Sequence, residues 1–172
     1  DLKREGKSFY WASFFLPKSS KKKAGMLYSI CRYFDDIADK YSEDQTDYLK
    51  DTIEEIKKNK NNKVNIFLQT SKINNSIFID LIEGFILDQQ NIRIQNKEEL
   101  IKYSYHVAGT VGLMMSKIIG AKHKKAARSA IDLGIGMQLT NIARDVYEDS
   151  KMKRIYLPAN WIPDISLKNL TD

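Results

Sequence analysis

Three aspartates fall within five positions in the stretch Arg32-Tyr33-Phe34-Asp35-Asp36-Ile37-Ala38-Asp39. Asp is a poor helix former. Yet Leu27, Ile30, Cys31, Phe34 and Ile37 recur at three- and four-residue steps, the spacing of a helix. On that helix Asp35 and Asp39 share a face, with Cβ atoms about 6 Å apart, and repel by a few tenths of a kcal/mol. A helix that keeps such a pair beside an apolar Ile37 calls for a counter-ion. A second stretch repeats the pattern. Gln138, Asn141, Asp145 and Asp149 follow at steps of three, four and four and fall on one helical face. All-oxygen donors of this kind suit a hard cation, Mg²⁺ above all. Mg²⁺ is commonly held by one or two carboxylates together with substrate phosphates. Two such helices facing each other would hold metal ions between them, and the metals would hold a diphosphate. Each cluster alone reads equally well as a solvated face paired with Arg32, Arg144 or Lys40. Two clusters at helical spacing, each with an arginine beside it, favour the metal. A di-iron bundle needs Glu-x-x-His pairs, and none occurs here.

The elements that must position these residues are helical almost throughout. The spacing predicts helices over Ala24–Tyr41, Asp47–Lys57, Asn75–Asn91, Asn96–Ile119 and Lys124–Glu148, with Lys58–Lys63 a polar loop. Asn96 is a candidate N-cap, with Glu98 and Glu99 in the favourable first turn. Strand-like alternation and hairpin turns are scarce. The expected class is all-α, one domain of packed antiparallel helices. The 172 residues suffice for one core. A single cysteine, Cys31, excludes a disulfide scaffold and a multi-cysteine zinc site. It suggests a reducing, cytoplasmic setting. Net charge is +6, with basic runs at Lys18–Lys23, Lys57–Lys63, Lys122–Lys125 and Lys151–Arg154. These read first as solvated loops and helix ends, and otherwise as attraction to an anionic membrane or a polyanionic small molecule. No aromatic-interleaved basic stripe points to nucleic acid.

Val107-Ala108-Gly109-Thr110-Val111-Gly112 places two glycines inside a helix, at a cost of roughly 1 kcal/mol each against Ala. Close helix packing, room for a ligand chain, or a kink would each explain them. Gly134 and Gly136 pose the same choice.

Four stretches together carry a resemblance: SFYWASFFLP (Ser8 to Pro17), LYSICRYFDDIAD (Leu27 to Asp39), YSYHVAGTVGLMM (Tyr103 to Met115) and QLTNIARDVYEDSKMKRIYLPANW (Gln138 to Trp161). The chain resembles the squalene/phytoene synthase family of head-to-head prenyl transferases, with wording nearest to bacterial phytoene synthases. The resemblance implies an isoprenoid synthase fold, antiparallel helices around a central cavity. It implies Mg²⁺-dependent joining of two prenyl diphosphates, Mn²⁺ being an alternative ion. In the phytoene case the substrate is geranylgeranyl diphosphate, the route a cyclopropylcarbinyl diphosphate, and NADPH is not expected. Squalene-type synthases act on farnesyl diphosphate and end with hydride from NADPH, and some relatives of the fold are assembly factors without catalysis. Carried over by motif, Asp35, Asp36 and Asp39 form one aspartate-rich motif and Asn141, Asp145 and Asp149 the other. Asp35, Asp39, Asp145, Asp149 and Tyr103 are the expected catalytic set. Arg32, Arg144 and Arg154 are expected on diphosphate. Ser8, Phe9, Tyr28, Tyr103, Ala108, Val111, Gly112, Leu133, Met137, Gln138 and Tyr156 are expected near the substrate. Tyr103 is also a candidate to orient diphosphate or manage a proton. Family members continue with further helices that close the cavity. Residues 1–172 are therefore expected to form a partial domain, truncated at the C-terminus, whose activity alone is in doubt. A greasy product and the basic runs suggest peripheral membrane contact.

Overall fold

The computed structural model describes residues 11–40, 44–90 and 92–162, apart from the side chains at 39, 40 and 124. Eight α-helices are described: α1 (Lys18–Lys40), α2 (Thr46–Lys57), α3 (Lys63–Thr70), α4 (Asn75–Gln89), α5 (Lys97–Ser104), α6 (Thr110–Ile118), α7 (Lys124–Arg144) and α8 (Val146–Lys151). A π-helical turn, Tyr105–Gly109, joins α5 to α6. Among the described residues there is no strand. A single parallel bridge pairs Arg93 with Ile155.

Asparagines start three of the helices. Asn62, Asn74 and Asn96 accept from the amides of Asn65, Ser76 and Glu99, each satisfying a donor that the first turn leaves unpaired. Glu99 reaches back to the Gln95 amide at 2.8 Å. The expected start at Asn96 is found. Two other boundaries differ from expectation. α1 begins at Lys18, six residues before the expected start at Ala24, so that of the two readings the run Lys18–Lys23 is a helix end. Residues 63–70, beyond the predicted polar loop, form the additional short helix α3.

α4 is apolar nearly all round and is the central helix. It packs against α1, α2, the π turn and α6. The main core gathers Leu27 and Phe34 of α1, Leu49 and Ile56 of α2, Phe78, Leu81 and Ile82 of α4, and Met114 of α6. A second cluster, Ile94, Leu100, Tyr103, Ile142 and Tyr156, lies under the bridge. There Ile155 donates to Ile92 O at 3.2 Å, and Ile94 donates to Ile155 O at 3.3 Å. The segment after α8 is thus tied to the loop before α5.

The glycines divide between the readings the sequence left open. A Cβ at Gly112 would fall onto Ala130 O, and one at Gly134 onto Ala108 O. At these two positions α7 packs closely on the α6 side, backbone against side-chain-free backbone. Nothing lies within 4 Å of a Cβ at Gly136. The π turn supplies the local irregularity around Gly109. Gly112→Ala is expected to destabilise the fold by about 1–3 kcal/mol, because overpacking outweighs the helix-propensity gain. A shift of the urea midpoint to lower concentration checks this; an unchanged midpoint contradicts the packing reading.

Candidate active site

A cavity of about 230 Å³ opens between α1, α4, α5 and α7. Tyr28, Arg32 and Asp35 reach it from α1, Asp88 from α4, Tyr103 from α5 and Gln138 from α7. Of the residues expected near substrate, Tyr28, Tyr103, Val111 and Gln138 line it together. A neighbouring pocket of about 270 Å³ has an almost wholly apolar wall that includes Leu16, Ala24, Leu27, Met115 and Ile119. Tyr28, Cys31 and Val111 belong to both cavities and form the partition between a polar chamber and an apolar one. Burial, and then the nearby Asp35 carboxylate, push the Cys31 thiol up to about 12. It stays a neutral wall and not a nucleophile.

The acidic motif of α1 is organised by its own arginine. Arg32 Nη1 donates to Asp35 Oδ2 at 2.8 Å, and Nε stands 3.0 Å from Asp36 Oδ1. These are the i,i+3 and i,i+4 steps of one helical face. The end of this helix is fixed from two sides. The Ala38 carbonyl accepts from Gln89 Nε2 at 2.5 Å and from Arg154 Nη2 at 3.2 Å. Arg154 is only 7% exposed. It is thus not part of a solvated basic run but a buried cation between the two motifs. Asp39 lies on α1, its side chain outside the described residues, as are Ser8, Phe9 and the side chain of Lys40.

The second motif is not one uninterrupted helix. α7 ends at Arg144, and Asp145 leaves helical geometry at φ −104° and ψ 19° before α8 begins. The Asp149 amide still donates to Asp145 O at 2.8 Å, so the spacing of the two carboxylates survives the break. Arg144 grips Asp145 with both Nε and Nη2 at 2.5 Å. That bidentate pair holds the Asp145 carboxyl below its ordinary range. Asp145 therefore carries its charge through neutral and mildly acid pH. Asp149 lines a narrow cleft with Ile142, Arg154 and Tyr156. Arg154, bonded to Ala38 O, connects that cleft to the end of α1.

The sequence reading missed Asp88. Its carboxylate accepts from Tyr103 OH at 2.9 and 3.1 Å and from Tyr156 OH at 2.7 Å. The two rings stack, with centroids 4.8 Å apart. Desolvation and the Asp88 charge push both phenols well above their ordinary value. Tyr103 is therefore a fixed hydrogen-bond donor to Asp88. The signal was available. Asp88 follows Leu81 and Phe85 at seven- and three-residue steps, which places a carboxylate on the buried stripe of an apolar helix.

Other expected cavity residues lie elsewhere. Leu133 and Met137 sit on the open face of α7, 67% and 48% exposed. Ala108 and Gly112 face α7 at the close helix contact. Tyr156 reaches the site through Asp88 and the cleft by Asp149.

Among the described residues no three His, Cys, Asp or Glu side chains converge as a ready-made metal cluster. The donor chemistry nevertheless fits a hard cation. Asp35, Asp36, Asn141, Asp145 and Asp149 offer only oxygen, on α1 and on the α7–α8 junction, with buried Arg154 linking the two.

Comparison with known proteins places this geometry. The squalene/phytoene synthase family model matches residues 2–170. The 15-cis-phytoene synthase of Enterobacter agglomerans is 34% identical over 187 residues, covering 96% of this chain and 63% of its own. The phytoene synthase of Thermus thermophilus is 34% identical over 172 residues, covering 94% and 58%. A crystal structure of a dehydrosqualene synthase in complex with ligand superimposes with a TM-score of 0.84 at 30% identity, over 99% of this chain and 64% of that one. The squalene synthase HpnC from Alicyclobacillus acidocaldarius shares the fold, with a TM-score of 0.78 at 23% identity. The chain thus spans about 60% of the length of the curated relatives it matches. With an all-α architecture, an aspartate- and arginine-bearing cavity and these matches, the chain belongs to the squalene/phytoene synthase family.

Proposed function

We propose that the protein is a Mg²⁺-dependent head-to-head prenyl transferase that joins two molecules of geranylgeranyl diphosphate to phytoene. The observation that carries the reading is the shared wall of Tyr28, Cys31 and Val111 between a charged chamber and an apolar pocket. A prenyl diphosphate has the same division, an anionic head on an apolar tail. The similarity to phytoene synthases supports the reaction class.

Asp35, Asp36, Asp39, Asn141, Asp145 and Asp149 would hold Mg²⁺, which when bound neutralises the charge that develops on the leaving diphosphate. Arg32, Arg144 and Arg154 are the diphosphate donors in this reading; guanidinium geometry matches phosphate oxygens. Loss of the diphosphate leaves an allylic cation. The double bond of the second substrate attacks it and, with loss of a proton that closes the three-membered ring, gives a cyclopropylcarbinyl diphosphate. A second ionisation, rearrangement and loss of a proton give phytoene. Asp88, on the chamber wall, supplies negative charge where the carbon skeleton is cationic. Tyr103 and Tyr156 fix its orientation through their hydrogen bonds. The apolar pocket keeps water from the cations.

The 0.84 TM-score to a dehydrosqualene synthase favours a second reading, the same site acting on farnesyl diphosphate. In either case a reducing compartment and contact with a membrane surface belong to the proposal. No helix among the described residues is long and apolar enough to cross a membrane.

Calorimetric titration of the full chain with geranylgeranyl thiodiphosphate, which resists ionisation, tests the binding half of the proposal. Affinity is expected to fall by more than about tenfold, roughly 1.4 kcal/mol, when EDTA removes the metal. Equal affinity with and without metal would contradict it.

A further inference from the structure

Between α5 and α6 the backbone bonds change partner. The Thr110 amide donates to Tyr105 O, five residues back, and so passes over His106 O. The Thr110 hydroxyl takes the amide's place and donates to His106 O at 2.6 Å. Thr110 is wholly buried. At that depth a carbonyl left without a donor is costly, so the hydroxyl is what makes the wider turn tolerable. Such single π turns inside helices are rare and occur often at functional sites.

The turn is also pinned to α4. Tyr105 OH donates to Asp80 Oδ2 at 2.8 Å, and His106 Nδ1 lies 2.7 Å from Asp80 O. A carbonyl only accepts, so this ring nitrogen carries the proton. Gly84, one turn further along α4, leaves the room. A Cβ there would stand 2.8 Å from Val107 Cγ1 and 3.0 Å from His106 Cβ.

The consequence is one of register. Tyr103, Val107 and Val111 all line the polar chamber and follow one another at steps of four. In an uninterrupted α-helix of 3.6 residues per turn, each step of four rotates a side chain by about 40°, or about 80° over both steps. The wider turn offsets that drift, and the three side chains stay on one wall. Tyr103 ties this wall to Asp88, and Val111 belongs to the partition with the apolar pocket.

We propose that Thr110 is a positioning residue, whose hydroxyl holds the π turn that keeps Tyr103, Val107 and Val111 in line along the chamber. The alignment is a property of the fold. Its use, to seat a prenyl chain on its way from the chamber into the apolar pocket, rests on the function proposed above.

Two measurements on the full-length protein test the proposal. The first is crystallographic and needs no ligand. Thr110→Val keeps the shape of the side chain and removes its donor. In this variant the amide at 110 is expected to turn to His106 O, rotating Val107 and Val111 out of line, whereas Thr110→Ser keeps the turn. A π turn that persists unchanged in the valine variant would overturn the inference. The second is calorimetric titration with Mg²⁺ and either geranylgeranyl thiodiphosphate or inorganic pyrophosphate. Thr110→Val is expected to bind the thiodiphosphate about tenfold more weakly and pyrophosphate within about twofold of the parent, because the head-binding residues lie on other elements. Thr110→Ser is expected to restore the tail affinity. Thr70→Val removes a hydroxyl that makes the same kind of bond, to Ile66 O at 2.8 Å in α3, and is expected to match the parent within about twofold. Equal weakening toward both probes, or parent affinity for the thiodiphosphate, would overturn the positioning role. If the valine variant does not fold, Thr110→Cys replaces it. Cysteine differs from serine only in offering a weak S–H donor. It is expected to bind the thiodiphosphate about threefold more weakly than Thr110→Ser, and equal affinity would overturn the proposal. A parent protein that binds pyrophosphate but gains nothing from the prenyl chain would remove the proposed substrate and leave the turn to the crystallographic result.

Discussion

Asp35→Asn is expected to lower product formation by about a thousandfold or more while the thermal midpoint stays close to that of the parent. The Asp35 side chain is 37% exposed and forms an ion pair with Arg32, which is 40% exposed. Such a pair contributes about 0.2–1 kcal/mol, so its loss hardly touches the fold. The exchange keeps shape and removes one negative charge and one hard oxygen ligand from the chamber wall. Asp145→Asn is expected to behave alike, since it empties the carboxylate that Arg144 now grips on two oxygens. Steady-state turnover beside a thermal melt checks both variants. Activity within tenfold of the parent in either one contradicts the metal assignment.

Asp88 separates a structural role from a functional one. Asp88→Leu deprives two buried phenols, Tyr103 and Tyr156, of their acceptor. Each unsatisfied group costs about 1–3 kcal/mol, so the variant is expected to lose several kcal/mol and fold poorly. Asp88→Asn keeps the shape and an acceptor oxygen. It is expected to retain most of the stability and to lose at least about tenfold in turnover, because the charge facing the cationic skeleton is gone. Parent-like turnover with Asn would reduce Asp88 to a packing residue. The pH response carries a sign as well. Both phenols have folded values raised above the ordinary 10. Their contribution to stability is therefore complete below about pH 10 and is lost as pH rises beyond it. These phenols put no inflection into activity at neutral pH.

Much of this was legible because helical periodicity and carboxylate spacing report the same geometry. α2 and α4 appear close to their expected bounds, and the Asn96 start of α5 is in place. The missing pieces have physical reasons. α3 is eight residues long, begins in a Lys/Asn-rich stretch and carries Asn65 as a buried polar residue, so its apolar stripe is too short to stand out. The π turn shifts the register by a residue, and a 3.6-residue period does not encode it. The break at Asp145 is invisible to spacing because the Asp145–Asp149 hydrogen bond preserves the four-residue step across it. Leu133 and Met137 carry no sign of which neighbour covers them, and among the described residues they stay exposed. Arg154 read as one charge of a basic run by composition and as a diphosphate contact by resemblance, and neither reading shows its burial. Only the return of the chain beneath α5, through the Arg93–Ile155 bridge, brings it to Ala38 O.

The central claim is that the chamber ionises prenyl diphosphates and the apolar pocket holds their tails. The most direct measurement is a product analysis on the full-length protein given geranylgeranyl diphosphate or farnesyl diphosphate with Mg²⁺, each with and without NADPH. The account predicts phytoene from geranylgeranyl diphosphate, without NADPH and dependent on Mg²⁺. Squalene, or a C30 cyclopropyl or hydroxylated product, from farnesyl diphosphate alone would keep the site and correct the substrate. No hydrocarbon from either diphosphate, with no metal-dependent diphosphate binding, would contradict the account.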